Sequence, residues 1–295
     1  MNFGRVVTAM VTPFNEQNQI DENATKALIE HLIANGTDAL VVGGTTGESP
    51  TLSTDEKIKL YQLVVDTVKH RIPVIAGTGT NSTHMSIELT KKAEQIGVDA
   101  IMLVTPYYNK PSQQGLYEHF KAIALETSLP VMLYNIPGRS SVNLSIETTI
   151  QLAQIPNIVA TKEASGDLDA MAAIISQTPE DFYLYSGDDS LTLPILSIGG
   201  NGIVSVCSHI LGKELQEMIA HFENGQVKEA ATLHRHLLPT MKALFMAPNP
   251  APVKSALTYY GVSTGSVRLP LLPLTEQEEA QLKNYLAPFL NYFVS

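Results

Sequence analysis

The sequence predicts an α/β chain, a (β/α)8 TIM barrel followed by an appended helical bundle. Three observations carry that prediction: short apolar runs recur along most of the chain, helical patterns fill the gaps, and the junctions repeat one punctuation. The runs are Val6-Val7-Thr8-Ala9-Met10-Val11, Ala39-Leu40-Val41-Val42, Val74-Ile75-Ala76, Ile101-Met102-Leu103-Val104 and Val131-Met132-Leu133-Tyr134. Ile158-Val159-Ala160-Thr161, Phe182-Tyr183-Leu184-Tyr185 and Gly202-Ile203-Val204-Ser205-Val206 complete the set. Near-continuous apolarity, rather than alternation, marks strands of a parallel sheet covered on both faces.

Between the runs, Asp21 can cap a helix that puts Ala24, Ala27, Leu28 and Leu32 on one face. Ser53 and Glu56 have capping-box spacing ahead of Ile58, Leu60, Leu63 and Val64. Met85, Leu89, Ala93 and Ile96 form one apolar stripe, and Leu168, Met171 and Ile175 another. Gly36-Thr37-Asp38-Ala39-Leu40 echoes Gly97-Val98-Asp99-Ala100-Ile101, and Arg71-Ile72-Pro73-Val74-Ile75 echoes Ser128-Leu129-Pro130-Val131-Met132. Such echoes are copies of one βα unit, of which eight close a barrel. An open doubly wound sheet is the weaker alternative, because no Gly-x-Gly-x-x-Gly follows the first strand. Leu215, Met218, Ile219 and Phe222 mark the closing barrel helix, which Asn224-Gly225 ends. The expected division is therefore a catalytic barrel over 1–225 and a helical domain over 226–295, the latter broken by prolines and without chemistry of its own.

The totals exclude several classes. At 295 residues the chain can bury a large core, and 44% hydrophobic with 16% charged residues is globular. A formal net charge of -10 without any Lys/Arg cluster argues against nucleic acid. The single cysteine, Cys207, lies in an apolar run and excludes an intramolecular disulfide or a cysteine metal site. No secretory pattern follows Met1 and no apolar stretch is long enough to span a membrane, so a cytoplasmic location is expected.

In this fold chemistry belongs to the loops at the strand ends of one face. Lys162 arrives at the expected end of the sixth strand, before a Ser165-Gly166-Asp167 turn. Burial favours the neutral amine, and a neutral amine adds to a ketone to form a Schiff base. The ordinary reading is a lysine whose stem is buried and whose ammonium is in water. Tyr134 ends the neighbouring strand and can shuttle the protons that carbinolamine formation and dehydration require; otherwise it is a rim tyrosine. Arg139 offers a bidentate grip on a carboxylate, or an ordinary surface ion pair. Gly43-Gly44-Thr45-Thr46-Gly47-Glu48-Ser49 supplies free backbone N–H groups and two hydroxyls, although most glycine-rich loops are only turns. His234 and His236 lack a carboxylate at ligand spacing and read as solvated; Asp188-Asp189 alone lacks the further ligands Mg²⁺ needs. No metal is expected.

Gly44-Thr45-Thr46-Gly47-Glu48, Tyr134-Asn135-x-Pro137 and Lys162-Glu163 resemble the signatures of the class I aldolases grouped with dihydrodipicolinate synthase and N-acetylneuraminate lyase. The resemblance runs almost end to end. Thr105-Pro106-Tyr107-Tyr108-Asn109-Lys110-Pro111, Pro137-Gly138-Arg139 and Asn249-Pro250-x-Pro252-Val253-Lys254 look like the synthase branch. The resemblance implies a pyruvate Schiff base on Lys162 with no other cofactor, and Tyr134 as general acid/base. It implies a relay through Thr45 to Tyr108 of a neighbouring subunit in a homotetramer. Thr46 and the backbone around Val204 would hold the pyruvate carboxylate, Gly187 would line the pocket, and Arg139 would bind L-aspartate 4-semialdehyde. The product would feed diaminopimelate and lysine synthesis. Ser49, Asn81 and Tyr107 match a lysine-effector pocket of some members, but Lys57 and Met85 stand where a sensitive enzyme carries His and Glu, so lysine inhibition is expected to be weak or absent. A sibling sugar-acid lyase and a non-catalytic keto-acid binder are the alternatives; Arg139 argues against the first, and the retained amine, phenol and threonines against the second.

Overall fold

The computed structural model describes residues 1–290. Strands β1 (Val6–Ala9), β2 (Ala39–Val42), β3 (Val74–Gly77), β4 (Ala100–Val104), β5 (Val131–Asn135), β6 (Ile158–Glu163), β7 (Tyr183–Ser186) and β8 (Gly202–Ser205) pair in parallel in chain order. β8 pairs with β1, which closes the barrel and excludes the open sheet. Around it run α1 (Glu22–Ala34), α2 (Thr54–Val68), α3 (Thr83–Ile96), α4 (Gln113–Ala124), the short α5 (Pro137–Ser140), α6 (Ile146–Leu152), α7 (Leu168–Gln177), α8 (Thr192–Ser197) and α9 (Ser208–Glu223). After Gln226 come α10 (Val227–Ala243), α11 (Ala251–Tyr259) and α12 (Glu276–Leu290). α10 packs on α9 and α12, and α11 on α9 and α12, so these helices sit on the barrel's last layer. The final five residues of the expected helical domain, 291–295, lie outside the described residues.

The caps read from sequence form. Asp21 accepts a hydrogen bond from the Ala24 N–H, and Ser53 with Glu56 completes a reciprocal box. Each such cap is worth about 1 kcal/mol. No helix among the described residues is long and apolar enough to cross a membrane.

Alternation along the strands divides the core in two. Val6, Leu40, Ile101, Leu133 and Ile203 point outward against Leu28, Leu60, Phe120 and Leu215 of the helices. Val7, Val41, Ile75, Met102, Met132, Ala160 and Val204 fill the barrel interior. Side chains two apart share a face. Met132 therefore carries Tyr134 inward, and Ala160 carries Lys162 inward.

Three expectations need correction. β6 runs one residue past Lys162, its expected end, because Tyr134 and Asn135 of β5 pair with Lys162 and Glu163 and prolong the ladder. Met85 does not join the apolar stripe of α3. At 55% exposure it overhangs the helix start, and the buried face is Ser86, Leu89, Thr90 and Ala93. His234 is half-buried rather than solvated, and desolvation with the nearby Arg235 lowers its pKa; the His236 ring packs on Phe289 at 5.0 Å.

Candidate active site

Parallel pairing sets Tyr134, Lys162 and Tyr185 side by side on β5, β6 and β7. Lys162 is only 5% exposed, and its Nζ lies 4.1 Å from the Tyr134 ring centroid. Gly187, just past β7, makes room for this amine's stem. A Cβ there would stand 3.2 Å from Lys162 Cε and 2.7 Å from Ala164 Cβ.

Burial pushes the Lys162 amine down to about 7, the Arg139 charge pushes the same way, and Asp189 opposes both. Burial pushes the Tyr134 phenol up to about 12, with Arg139 and Thr45 pulling against it and Glu163 adding to the rise. Near neutral pH a large fraction of the amine is therefore free, while the phenol keeps its proton. A nucleophile and a proton donor meet within one site, which is what carbonyl addition requires.

A cavity of about 260 Å³ opens beside Tyr134 at the ends of β2 to β5, lined among others by Gly44, Thr45, Ser49, Tyr107, Tyr134 and Arg139; Lys162, Thr46, Gly187 and Val204 are not among its lining residues. That volume is at the small end for ligand sites and suits metabolites of a few heavy atoms. Thr46 is buried and accepts a hydrogen bond from Asn249 Nδ2 at 3.0 Å. Val204 of β8 is buried in the barrel interior. Tyr108 stands apart at 89% exposure, in left-handed backbone (φ 76), outside the lining of the cavity. Of the candidate effector residues, Ser49 and Tyr107 line this same cavity, and Asn81 Nδ2 donates to the Tyr107 carbonyl at 3.1 Å. Lys57 on α2 and Met85 on α3 do not line it.

Two features escaped sequence reading. Asp189 is buried, and its carboxylate accepts from Ser205 Oγ at 2.5 Å and from the N–H groups of Val206 and Cys207 at 3.1 and 3.0 Å. It thus staples the turn after β7 to the end of β8 while attracting the Lys162 charge. Its acidic-pair motif was visible, but not the partners that make it structural. The C-terminal segment, expected to carry no chemistry, sends Asn249, in the turn before α11, to Thr46 and Lys254, on α11, to Glu48. The family motif around Asn249 and Lys254 was the available signal.

A closed parallel barrel with a buried lysine and a phenol on adjacent strands at one mouth defines a class I, Schiff-base type of aldolase. Residues 2–288 match the dihydrodipicolinate synthetase family, and the chain belongs to it. It is 65% identical over 295 residues, the whole of both chains, to 4-hydroxy-tetrahydrodipicolinate synthase 1 of Halalkalibacterium halodurans. The crystal structure of a dihydrodipicolinate synthase from Bacillus anthracis superposes with a TM-score of 0.96 at 58% identity, covering 97% of this chain and 98% of that one. The enzyme of Cyanidioschyzon merolae with lysine bound superposes at 0.95, with 50% identity and 97% of each chain covered.

Proposed function

We propose that this chain is a 4-hydroxy-tetrahydrodipicolinate synthase, condensing pyruvate with L-aspartate 4-semialdehyde on the way to diaminopimelate and lysine. The observation that carries the reading is the Lys162 amine held 4.1 Å from the Tyr134 ring, with Tyr134 and Arg139 together lining a small cavity. The neutral amine attacks the pyruvate ketone; its nitrogen gains the carbon bond as the ketone oxygen takes a proton from Tyr134. Loss of that oxygen as water leaves the iminium, and the Tyr134 phenolate takes a methyl proton to give the enamine. The enamine carbon attacks the aldehyde of the second substrate, whose oxygen takes that proton back from Tyr134 and becomes a hydroxyl. The substrate's own amine then attacks the iminium carbon, closes the ring and expels Lys162. No further cofactor enters.

Thr46 and the backbone at Val204 hold the pyruvate carboxylate, Gly187 lets the reacting carbon approach the amine, and Thr45 links Tyr134 to a proton relay. Arg139 takes the carboxylate of the semialdehyde, which separates this reading from a sugar-acid lyase. The exposure of Tyr108 supports a relay completed by a neighbouring subunit in a homotetramer; mass measurement in solution tests the assembly. The barrel is residues 1–225 and the helical domain begins at 226, its last described residue being 290, and the enzyme works in the cytoplasm. Borohydride trapping with pyruvate, read by peptide mass spectrometry, tests the chemistry. A reduced adduct on Lys162 that gives way to turnover when the semialdehyde is added is the expected result. An adduct without turnover would move the reading to a sibling aldolase, and no adduct would end it.

A further inference from the structure

The loop that carries Thr45 and Thr46 is held from the far end of the chain. Glu48 sits in left-handed backbone (φ 56) with its side chain fully buried. Lys254 Nζ on α11, itself buried, reaches Glu48 Oε1 at 2.8 Å and donates to the Ser266 carbonyl at 2.8 Å. The backbone N–H of Arg268 donates to Glu48 Oε2 at 2.8 Å. The Arg268 guanidinium goes on to Glu56 on α2 and to the Thr51 carbonyl, at 2.5 and 2.8 Å. Phe14 lies against both cations, with Lys254 Nζ 4.3 Å and the Arg268 guanidinium 4.2 Å from its ring centre. Thr12 Oγ1 donates to the Gly47 carbonyl at 2.7 Å and Asn249 Nδ2 to Thr46 Oγ1 at 3.0 Å, so the loop is gripped at Thr46 and at the two residues that follow it.

A buried ion pair is a poor device for stability alone, because desolvating both charges consumes much of their attraction, and an apolar pair would serve as well. What it supplies is direction. A carboxylate fixed by one ammonium and one backbone N–H leaves the loop a single position. Hydroxyls that must meet a small carboxylate need that, since a displacement of about 1 Å at a reacting site is worth about a hundredfold in rate. We propose that Lys254, acting through Glu48, is a positioning residue for pyruvate binding: the C-terminal helices set the loop on which Thr45 and Thr46 stand. This rests on the assignment of Thr46 to the pyruvate carboxylate and of Thr45 to the proton relay.

The test compares wild type, Lys254→Met, Lys254→Arg and Glu48→Gln. The pyruvate concentration for half-maximal borohydride-trapped adduct is measured together with KM for each substrate, kcat and thermal midpoint. Lys254→Met is expected to raise the half-trapping concentration and the pyruvate KM about tenfold, the effect of a loop shift of roughly half an ångström at the site. The semialdehyde KM stays within about twofold, because Arg139 stands on α5, which this network does not touch, and Lys254→Arg recovers most of the loss by restoring the cation. Glu48→Gln keeps the side chain's shape but not its charge and is expected to raise the pyruvate KM about threefold, so it carries the test should Lys254→Met fail to fold. A folded variant with a lowered thermal midpoint and unchanged pyruvate dependence would overturn the proposal, as would equal rises in both KM values. Absence of any trapped adduct in wild type would instead defeat the functional reading itself, before a variant is compared.

Discussion

Replacing Lys162 with methionine should abolish the adduct and at the same time make the protein more stable at neutral and acidic pH. The amine falls from its ordinary 10.5 to about 7 on folding, chiefly through desolvation. The folded state therefore binds fewer protons than the unfolded chain between those two values, and stability rises with pH across that window. Below pH 7 the full penalty of a buried ammonium is present, about 5 kcal/mol at about 1.4 kcal/mol per pH unit. Above the ordinary value it vanishes. The contact with the Tyr134 ring returns about 1 kcal/mol of this, and imperfect fit of the methionine takes about 1 kcal/mol more. The net gain for Lys162→Met at pH 6 is then about 3 kcal/mol, or about 5 to 10 °C in thermal midpoint. Unfolding of both proteins by denaturant at several pH values between 6 and 10 measures it. The advantage of the variant should shrink steadily as pH rises. A variant less stable than wild type at pH 6, or a difference that stays flat with pH, would refute the idea that this amine is held neutral by burial. The same titration predicts that the initial rate of pyruvate trapping by wild type rises about tenfold between pH 6 and pH 8, as the neutral fraction grows.

Other outcomes follow from the same geometry. Tyr134→Phe keeps the ring against Lys162 but loses the proton donor, so kcat should fall at least about a hundredfold while the thermal midpoint hardly moves; an active variant would remove Tyr134 from the chemistry. Gly187→Ala forces a methyl to within 3.2 Å of Lys162 Cε and 2.7 Å of Ala164 Cβ. Adduct formation should drop at least about tenfold through displacement of the amine, and wild-type trapping would show that the stem has room to spare. Lysine should inhibit weakly or not at all, because Lys57 and Met85 offer its ammonium no carboxylate. Half-inhibition at low millimolar lysine in a steady-state assay would contradict this, and Met85→Glu with Lys57→His is the pair expected to introduce sensitivity.

Much of this enzyme was legible in its sequence because the signals are local. Eight apolar runs, the cap at Asp21 and the box at Ser53–Glu56 depend on residues a few positions apart, and so does the period that turns Tyr134 and Lys162 to one side of their strands. Placing both at the same mouth needed only the rule that parallel strands end on one face. Where local reading failed, a longer-range force had acted: pairing with β5 carried β6 two residues further than its apolar run, and packing left Met85 outside the stripe it nominally continues.

What only the tertiary structure decided is the state of the side chains. The free amine of Lys162 is a product of burial by its neighbours, of the missing side chain at Gly187 and of the balance between Arg139 and Asp189. None of these can be weighed until the barrel closes. The grip of Lys254 on Glu48 joins residues some two hundred positions apart, and Asn249 on Thr46 spans a similar interval. Desolvation and Coulomb interaction depend on distance and surroundings in space, whereas the patterns that specify strands and helices depend on spacing along the chain. The sequence by itself therefore determined which residues face the site, and folding determined what those residues are able to do there.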